Sequence, residues 1–340
     1  MLSDLLHAVV EGLSLTEEQA EDAMRTLLAG EATPVLTAAF LTALRMKGET
    51  TEELAGFARA MRAAATRVPI EDACRPLLDT CGTGGDGMLT FNISTVAAFV
   101  VAGAGVRVAK HGNRSLSSLC GSADVLEALG VRTTVEPSLV ARAIREVGVG
   151  FLFAPAFHGA TKHVQPVRSE LKMRTLFNFL GPLTNPAGAE IQVSGTWSEA
   201  AAEKIAGALA RLGSRRAYVV NGSDGLDELT ITGPSSIFAV QNGAVDRIVV
   251  SPGDFGIATQ SGNALRGGDT GKNREIAESI LNGERGPRRD VVLMNAALAL
   301  VAAEKASGFV EGAELAARSI DSGSARTKLR QLRELVPAAA

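Results

Sequence analysis

Asp79 to Thr95, DTCGTGGDGMLTFNIST, constrains the fold more than any other stretch of the chain. Gly82, Gly84, Gly85 and Gly87 fall within six residues, after the apolar pair Leu77 and Leu78 and before the apolar segment Val96 to Val101. That order predicts a strand, a glycine loop and the start of a helix. Glycine at this density lets the backbone take positive φ and lets a ligand reach the amides with no Cβ in the way. Several N–H groups can then converge on one anion at the positive end of the following helix. Asn92, Ser94 and Thr95 stand where that helix begins, so they can cap it or reach the same anion. A phosphate or pyrophosphate suits the arrangement, and an ordinary glycine turn with an N-cap fits the same residues. The stretch matches neither G-x-x-x-x-G-K-[ST] nor G-x-G-x-x-G.

The chain on either side of this loop has two textures. Residues 1 to 67 predict four short helices, with Leu2, Leu5, Leu6, Val9 and Val10 at helical spacing. Thr16 with Gln19, and Thr50 with Glu53, have capping-box spacing, while Thr33 precedes Pro34 as an N-cap before an N1 proline. Gly30 and Gly48 stand at C′ positions. From Pro76 onward, short β-branched runs alternate with amphipathic segments. Strands are expected at Val106 to Ala109, Val149 to Phe153, Ile191 to Ser194, Ala217 to Val220 and Arg247 to Val250. Helices are expected near 96 to 104, 122 to 129, 138 to 147 and 199 to 212, over Glu170 to Leu180, and in the tail at Glu275 to Leu281, Arg289 to Ala306 and Gly312 to Ser319. This is an α/β pattern: a mostly parallel sheet flanked by helices, with a smaller all-helical unit. Ligands in such sheets gather beyond the carboxyl ends of strands, where the glycine loop, Lys110 and Asp227-Glu228 can meet.

Two further clusters carry chemistry. The block KHGNRSLSS, Lys110 to Ser118, sets a cation among short polar side chains, as phosphate binding requires, and a solvated loop with cap residues fits it too. Asp227 and Glu228 are adjacent acids behind Gly222 and Gly225. A hard cation such as Mg²⁺ relieves their repulsion through oxygen ligation and completes its shell with water and substrate phosphates. Two exposed acids in a loop are the plainer alternative. The charge balance of −3 excludes a broad nucleic-acid or anionic-membrane surface. Cys74, Cys81 and Cys120 are odd in number and lack C-x-x-C spacing, which points to reduced thiols in a cytoplasm. No apolar run approaches the roughly 18 residues of a membrane span, and the N-terminus lacks a basic leader.

Gly82 to Thr95 resembles the phosphoribosyl-pyrophosphate loop of the anthranilate phosphoribosyltransferases. Lys110 to Gly130, Pro166 to Pro186, Gly225 to Thr230, Gly267 to Asp269 and Arg289 to Ala297 are similar to further blocks of that family, in order and over nearly the whole chain. The resemblance implies transfer of a 5-phosphoribosyl group to the anthranilate amine. It implies a discontinuous helical domain, residues 1–70 plus about 160–186, beside an α/β domain of 75–159 plus 187–340. Phosphoribosyl pyrophosphate would meet Gly82, Gly84, Gly85, Asp86, Thr90, Asn92, Ser94, Thr95, Lys110, Asn113, Ser118 and Ser122. Anthranilate would meet Gly82, Asn113 and Arg168. Two Mg²⁺ ions would be held by Asp227, Glu228 and Ser94. A homodimer through the helical domain is implied as well, and no residue is assigned as general acid or base.

Two segments depart from the family pattern. His158-Gly159-Ala160-Thr161-Lys162 stands where His-Pro-Ala-Met-Lys is usual, and Leu119 replaces a lysine. The first bears on acceptor range, the second on donor affinity. The competing readings are a pyrimidine nucleoside phosphorylase, tested by phosphorolysis of thymidine or uridine, and a nucleic-acid-binding paralogue, tested by a salt-dependent gel shift.

Overall fold

The computed structural model describes residues 1–114 and 119–338, so Ser118 lies outside the described residues. The chain opens with α1 (Leu2–Val10), α2 (Glu17–Ala29), α3 (Pro34–Lys47) and α4 (Thr51–Ala64). The expected caps form. Thr16 Oγ1 accepts the Gln19 N–H at 3.2 Å and Gln19 Oε1 accepts the Thr16 N–H at 2.9 Å. Thr50 and Glu53 make the same exchange at 3.2 and 2.8 Å. Each such cap contributes about 1 kcal/mol by satisfying amides that the first turn leaves free.

One sheet is built from β1 (Leu78–Gly82), β2 (Val108–Gly112), β3 (Val149–Phe153), β4 (Ile191–Gly195), β5 (Arg216–Gly222), β6 (Ser235–Gln241) and β7 (Ala244–Val250). Its order is β3-β2-β1-β4-β5-β6-β7. The first five in sequence run parallel, and β6 and β7 extend the edge antiparallel. The chain therefore winds one way from β1 and the other way from β4, which opens a crevice beyond the carboxyl ends of these two neighbours. Between and after the strands come α5 (Ile93–Gly103), α6 (Ser122–Ala128), α7 (Pro137–Glu146), α8 (Ala154–Phe157), α9 (Gln165–Leu171), α10 (Phe177–Leu183), α11 (Glu199–Arg211), α12 (Thr270–Leu281), α13 (Pro287–Ala302), α14 (Phe309–Asp321) and α15 (Ser324–Leu335). Among the described residues no helix is long and apolar enough to cross a membrane.

Strand alternation sorts the core. Val220 and Ile237 bury with α5 and α13, whereas their neighbours Val219 and Phe238 bury with α2, α4 and α11. Val167 of α9 and Phe177, Phe179 and Leu180 of α10 join that second cluster, so the excursion packs with the N-terminal bundle.

Several expected boundaries move. The helix expected over Glu170 to Leu180 is broken: Lys172 takes φ of 48° after α9, and α10 begins at Phe177. The Thr175 N–H is given to Asn178 Oδ1 at 3.0 Å, a local bond that competes with a continuous helix. The strand expected at Val106 to Ala109 runs instead to Gly112, because pairing with β3 continues as far as Phe153. Lys110 thus lies inside β2 rather than after it. The sequence reading passed over β6, a run whose Ser and Gln ends hide its pattern, and also α15.

Candidate active site

Gly82 ends β1 opposite Gly195, the end of β4. Beyond them the glycine loop turns through Gly84, Gly85 and Gly87 at φ of 64°, 73° and 78°, a region that side-chain-bearing residues rarely enter. The loop closes onto the segment after β5. Gly84 donates its N–H to Asp227 Oδ2 at 2.9 Å, and the Asp227 N–H is given to Asp86 Oδ2 at 3.3 Å. At the start of α5 the Ser94 N–H is donated to Glu228 Oε1 at 3.1 Å. Lys110 Nζ, buried, donates to the Thr80 carbonyl and, at 3.2 Å, to Ser94 Oγ. Five of the anticipated groups, Gly84, Asp86, Ser94, Asp227 and Glu228, therefore meet at the β1/β4 crevice with Lys110 beside them.

The acids are not the exposed pair of the plainer reading: Glu228 is only 8% exposed. Burial, then the neighbouring Asp86, raises Asp227 to about 7, and burial, then Asp227, raises Glu228 to about 8. Burial pushes the Lys110 ammonium down, against the pull of Asp79, Cys81, Glu228 and Asp227. Negative charge is thus crowded where a cation would relieve it, so the donor set fits Mg²⁺.

Other anticipated residues take supporting places. Thr90 pairs with Arg266 in a β-bridge, which lays Gly267 against the Phe91 backbone. The Asn92 side chain donates to the Cys120 carbonyl at 3.1 Å and accepts from Asn273 at 3.2 Å, so it does not cap α5. Thr95 Oγ1 is buried with no hydrogen-bond partner among the described residues. Asn113 and Ser122 bond each other through Ser122 Oγ, which accepts the Asn113 N–H at 3.1 Å and donates to the Asn113 carbonyl at 3.2 Å.

Arg168 sits on α9, apart from the carboxylates. Its guanidinium lies 4.8 Å over the Phe177 ring and donates to Gln165 Oε1 at 3.3 Å. Burial lowers its pKa, and among the described residues no acid forms an ion pair with it. His111 and His158 face each other with ring centroids 5.3 Å apart. Burial pushes them down to about 3 and about 4, so both are neutral at pH 7.

Sequence reasoning missed a buried layer beneath the site. Asp79, fully buried in β1, accepts the His111 N–H at 3.0 Å and the Asn185 Nδ2–H at 2.8 Å. An acid in the apolar run LLDTC was the signal. Gly195 and Arg174 were also passed over, and both touch the loops that form the site. A surface cavity of about 560 Å³ lined by Arg216, Tyr218 and Glu304 contains none of the site residues.

The helical bundle beside a mostly parallel sheet, with a glycine loop at the strand-order reversal, is the architecture of the two-part glycosyl transferase family. Residues 3–65 match the glycosyl transferase family helical bundle domain, and residues 74–326 match the glycosyl transferase family a/b domain. The chain is 59% identical over 327 residues to the anthranilate phosphoribosyltransferase of Solibacter usitatus, covering 96% of each chain. It is 45% identical to the Thermus thermophilus anthranilate phosphoribosyltransferase structure, with a TM-score of 0.92 over 97% of this chain and 98% of that one. The Saccharomyces cerevisiae enzyme in complex with phosphoribosyl pyrophosphate and Mg superposes with a TM-score of 0.89 at 28% identity, covering 98% and 97%. The chain belongs to the anthranilate phosphoribosyltransferase family.

Proposed function

We propose that this chain transfers the 5-phosphoribosyl group from phosphoribosyl pyrophosphate to the amine of anthranilate and releases pyrophosphate, the second step of tryptophan biosynthesis from chorismate. The observation that carries the reading is the convergence of the glycine-loop amides, Lys110 and the Asp227-Glu228 pair at one crevice. The relatives' activity and the yeast complex with donor and Mg support it.

In the reaction the bond from the ribose C1 to the pyrophosphate oxygen breaks, the anthranilate nitrogen bonds to C1, and the nitrogen sheds one proton. Negative charge accumulates on the leaving group. Gly84, Gly85 and Ser94 amides, the Lys110 ammonium and the polar side chains of Thr90, Asn92, Thr95, Asn113 and Ser122 are assigned to holding it, while Asp86, itself an acid, would meet the donor through its amide or a bound cation. Two Mg²⁺ ions are assigned to Asp227 and Glu228 and to the Ser94 hydroxyl. When bound, Mg²⁺ offsets the charge of the diphosphate. Among the described residues no group of three His, Cys, Asp or Glu forms a metal cage, so the remaining ligands would be substrate and water oxygens. Among the described residues Arg168 has no acidic partner, and its planar fork suits the anthranilate carboxylate, which Gly82 and Asn113 are assigned to meet as well. An aryl amine is neutral at pH 7 and attacks without a strong base. Closure of the helical part, residues 1–70 with 160–186, over the α/β part would exclude water, which competes for the donor.

A homodimer through the helical domain is supported by exposed apolar side chains there: Val35 and Met46 are 79% and 82% exposed, and Val10 and Leu13 are exposed as well. Cys74, Cys81 and Cys120 are buried and form no disulfide among the described residues, which agrees with a reducing cytoplasm. Loss of anthranilate fluorescence with phosphoribosyl pyrophosphate, in Mg²⁺ and in chelator, tests the activity. Consumption without Mg²⁺, or none with it, contradicts the reading.

A further inference from the structure

The side chains of Thr83 and Asp86 tie the glycine loop to Gly195 and Asp227, and its glycines depend on their backbone groups for further anchoring. Its Gly84 N–H is tied on one side to Asp227. On the other side it is tied to Arg174, in the connection between α9 and α10, whose Nη2 donates to the Gly85 carbonyl. Arg174 is itself held: its guanidinium carbon lies 4.7 Å over the Trp197 ring, and Trp197 meets Phe179 of α10 edge-on at 5.0 Å. An aromatic face fixes the plane of a guanidinium while leaving its N–H fork free to donate.

We propose that Arg174, stacked on Trp197, is a positioning residue that clamps the Gly85 carbonyl and so presents the loop amides to the phosphoribosyl donor. The inference rests on the donor-site reading above. A loop of three positive-φ glycines samples many conformations, and only those with the amides converging can bind a diphosphate. Holding one carbonyl selects among them before the ligand arrives. The clamp also joins the two halves of the reaction. Arg168, assigned to the acceptor, stacks on Phe177 at the far end of the same connection, so the segment that receives anthranilate also grips the donor loop.

Trp197 is the chain's single tryptophan, so its emission reports on the stack directly. Titration of phosphoribosyl pyrophosphate in Mg²⁺ is followed by calorimetry and by Trp197 fluorescence, for the wild type, Arg174→Ala and Arg174→Lys. Losing a charge-assisted hydrogen bond and its preorganisation is expected to weaken donor binding by about ten-fold or more in Arg174→Ala. The KM for anthranilate should stay within about two-fold, because that variant leaves Arg168 in place. Arg174→Lys keeps the charge but not the stacked fork, and should recover only part of the loss. A purely structural role would lower the melting temperature without this split between donor and acceptor. If Arg174→Ala binds the donor as the wild type does, with the same fluorescence response, the clamp is refuted while the donor site stands. If the wild type gives no heat, the donor site falls and the clamp with it.

Discussion

The α-carbon of Gly195 faces the carbonyl oxygen of Asp227 so closely that a Cβ on Gly195 would lie 1.4 Å from it. The end of β4 and the acid-bearing turn after β5 are thus packed backbone to backbone, with Gly82 across the sheet leaving only 3.0 Å between its own would-be Cβ and Asp227 Oδ2.

Gly195→Ala should therefore push the Asp227-Glu228 turn away from the glycine loop. The expected result is a folded protein, destabilised by about 1–3 kcal/mol as in other overpacked cores, whose donor binding in Mg²⁺ is largely lost. Calorimetry with a denaturant melt on the same sample checks both parts. Wild-type affinity would mean that the turn relaxes without consequence.

Mg²⁺ affinity should rise with pH through the range 7 to 8, since Asp227 and Glu228 are raised to about 7 and about 8 and must shed protons to ligate. Proton release on Mg²⁺ binding, read from calorimetry in buffers of different ionisation heat, should be large near pH 6.5 and fade above 8.5. The metal-free fold carries the opposite trend. Carboxyls raised above their unfolded values contribute stability at low pH that is lost as pH climbs through their folded values. Added Mg²⁺ should then restore it. Changing Asp227 and Glu228 together to Asn and Gln should abolish Mg²⁺-dependent turnover, and near-normal product formation would remove the metal from this place.

Arg168→Ala should raise the KM for anthranilate by roughly ten- to a hundred-fold, the loss of a charge-assisted carboxylate contact, with little change for the donor. Steady-state kinetics with each substrate varied separates the two. A donor-only effect would put the acceptor elsewhere.

Acid should weaken the fold through the facing histidines. His111 and His158 are depressed to about 3 and about 4, whereas an unfolded histidine titrates near 6.5. Their contribution is present above about 6.5 and is lost as pH falls toward 4. The stability difference between wild type and His158→Asn, measured by denaturant melts from pH 8 to 4.5, should shift in favour of the variant as the pH drops. A difference independent of pH would show that His158 titrates in the fold as it does in the unfolded chain.

Much of the architecture was legible because local chemistry writes it. The caps at Thr16, Thr33 and Thr50 and the alternation of β-branched runs with amphipathic ones depend on neighbours a few residues apart. Gly84, Gly85 and Gly87 announce positive φ by being glycines in a row. The helix expected through Lys172 failed because its breaking point follows from bonds made by Thr175 and Arg174 rather than from periodicity.

Composition and spacing by themselves determined an α/β chain with a glycine loop suited to an anion, and the resemblance to a family named most of the groups assigned around it. Only the tertiary structure decided that Lys110 and Glu228 are buried, that Asp79 braces the backbone of His111, and that Arg174 reaches Gly85 across the chain. The physical reason is that burial and charge crowding arise between segments far apart in sequence, joined when β1 and β4 come to lie side by side. No local pattern encodes the dielectric that a carboxylate will meet, so the raised acids that make the site receptive to a cation become visible only in the folded chain.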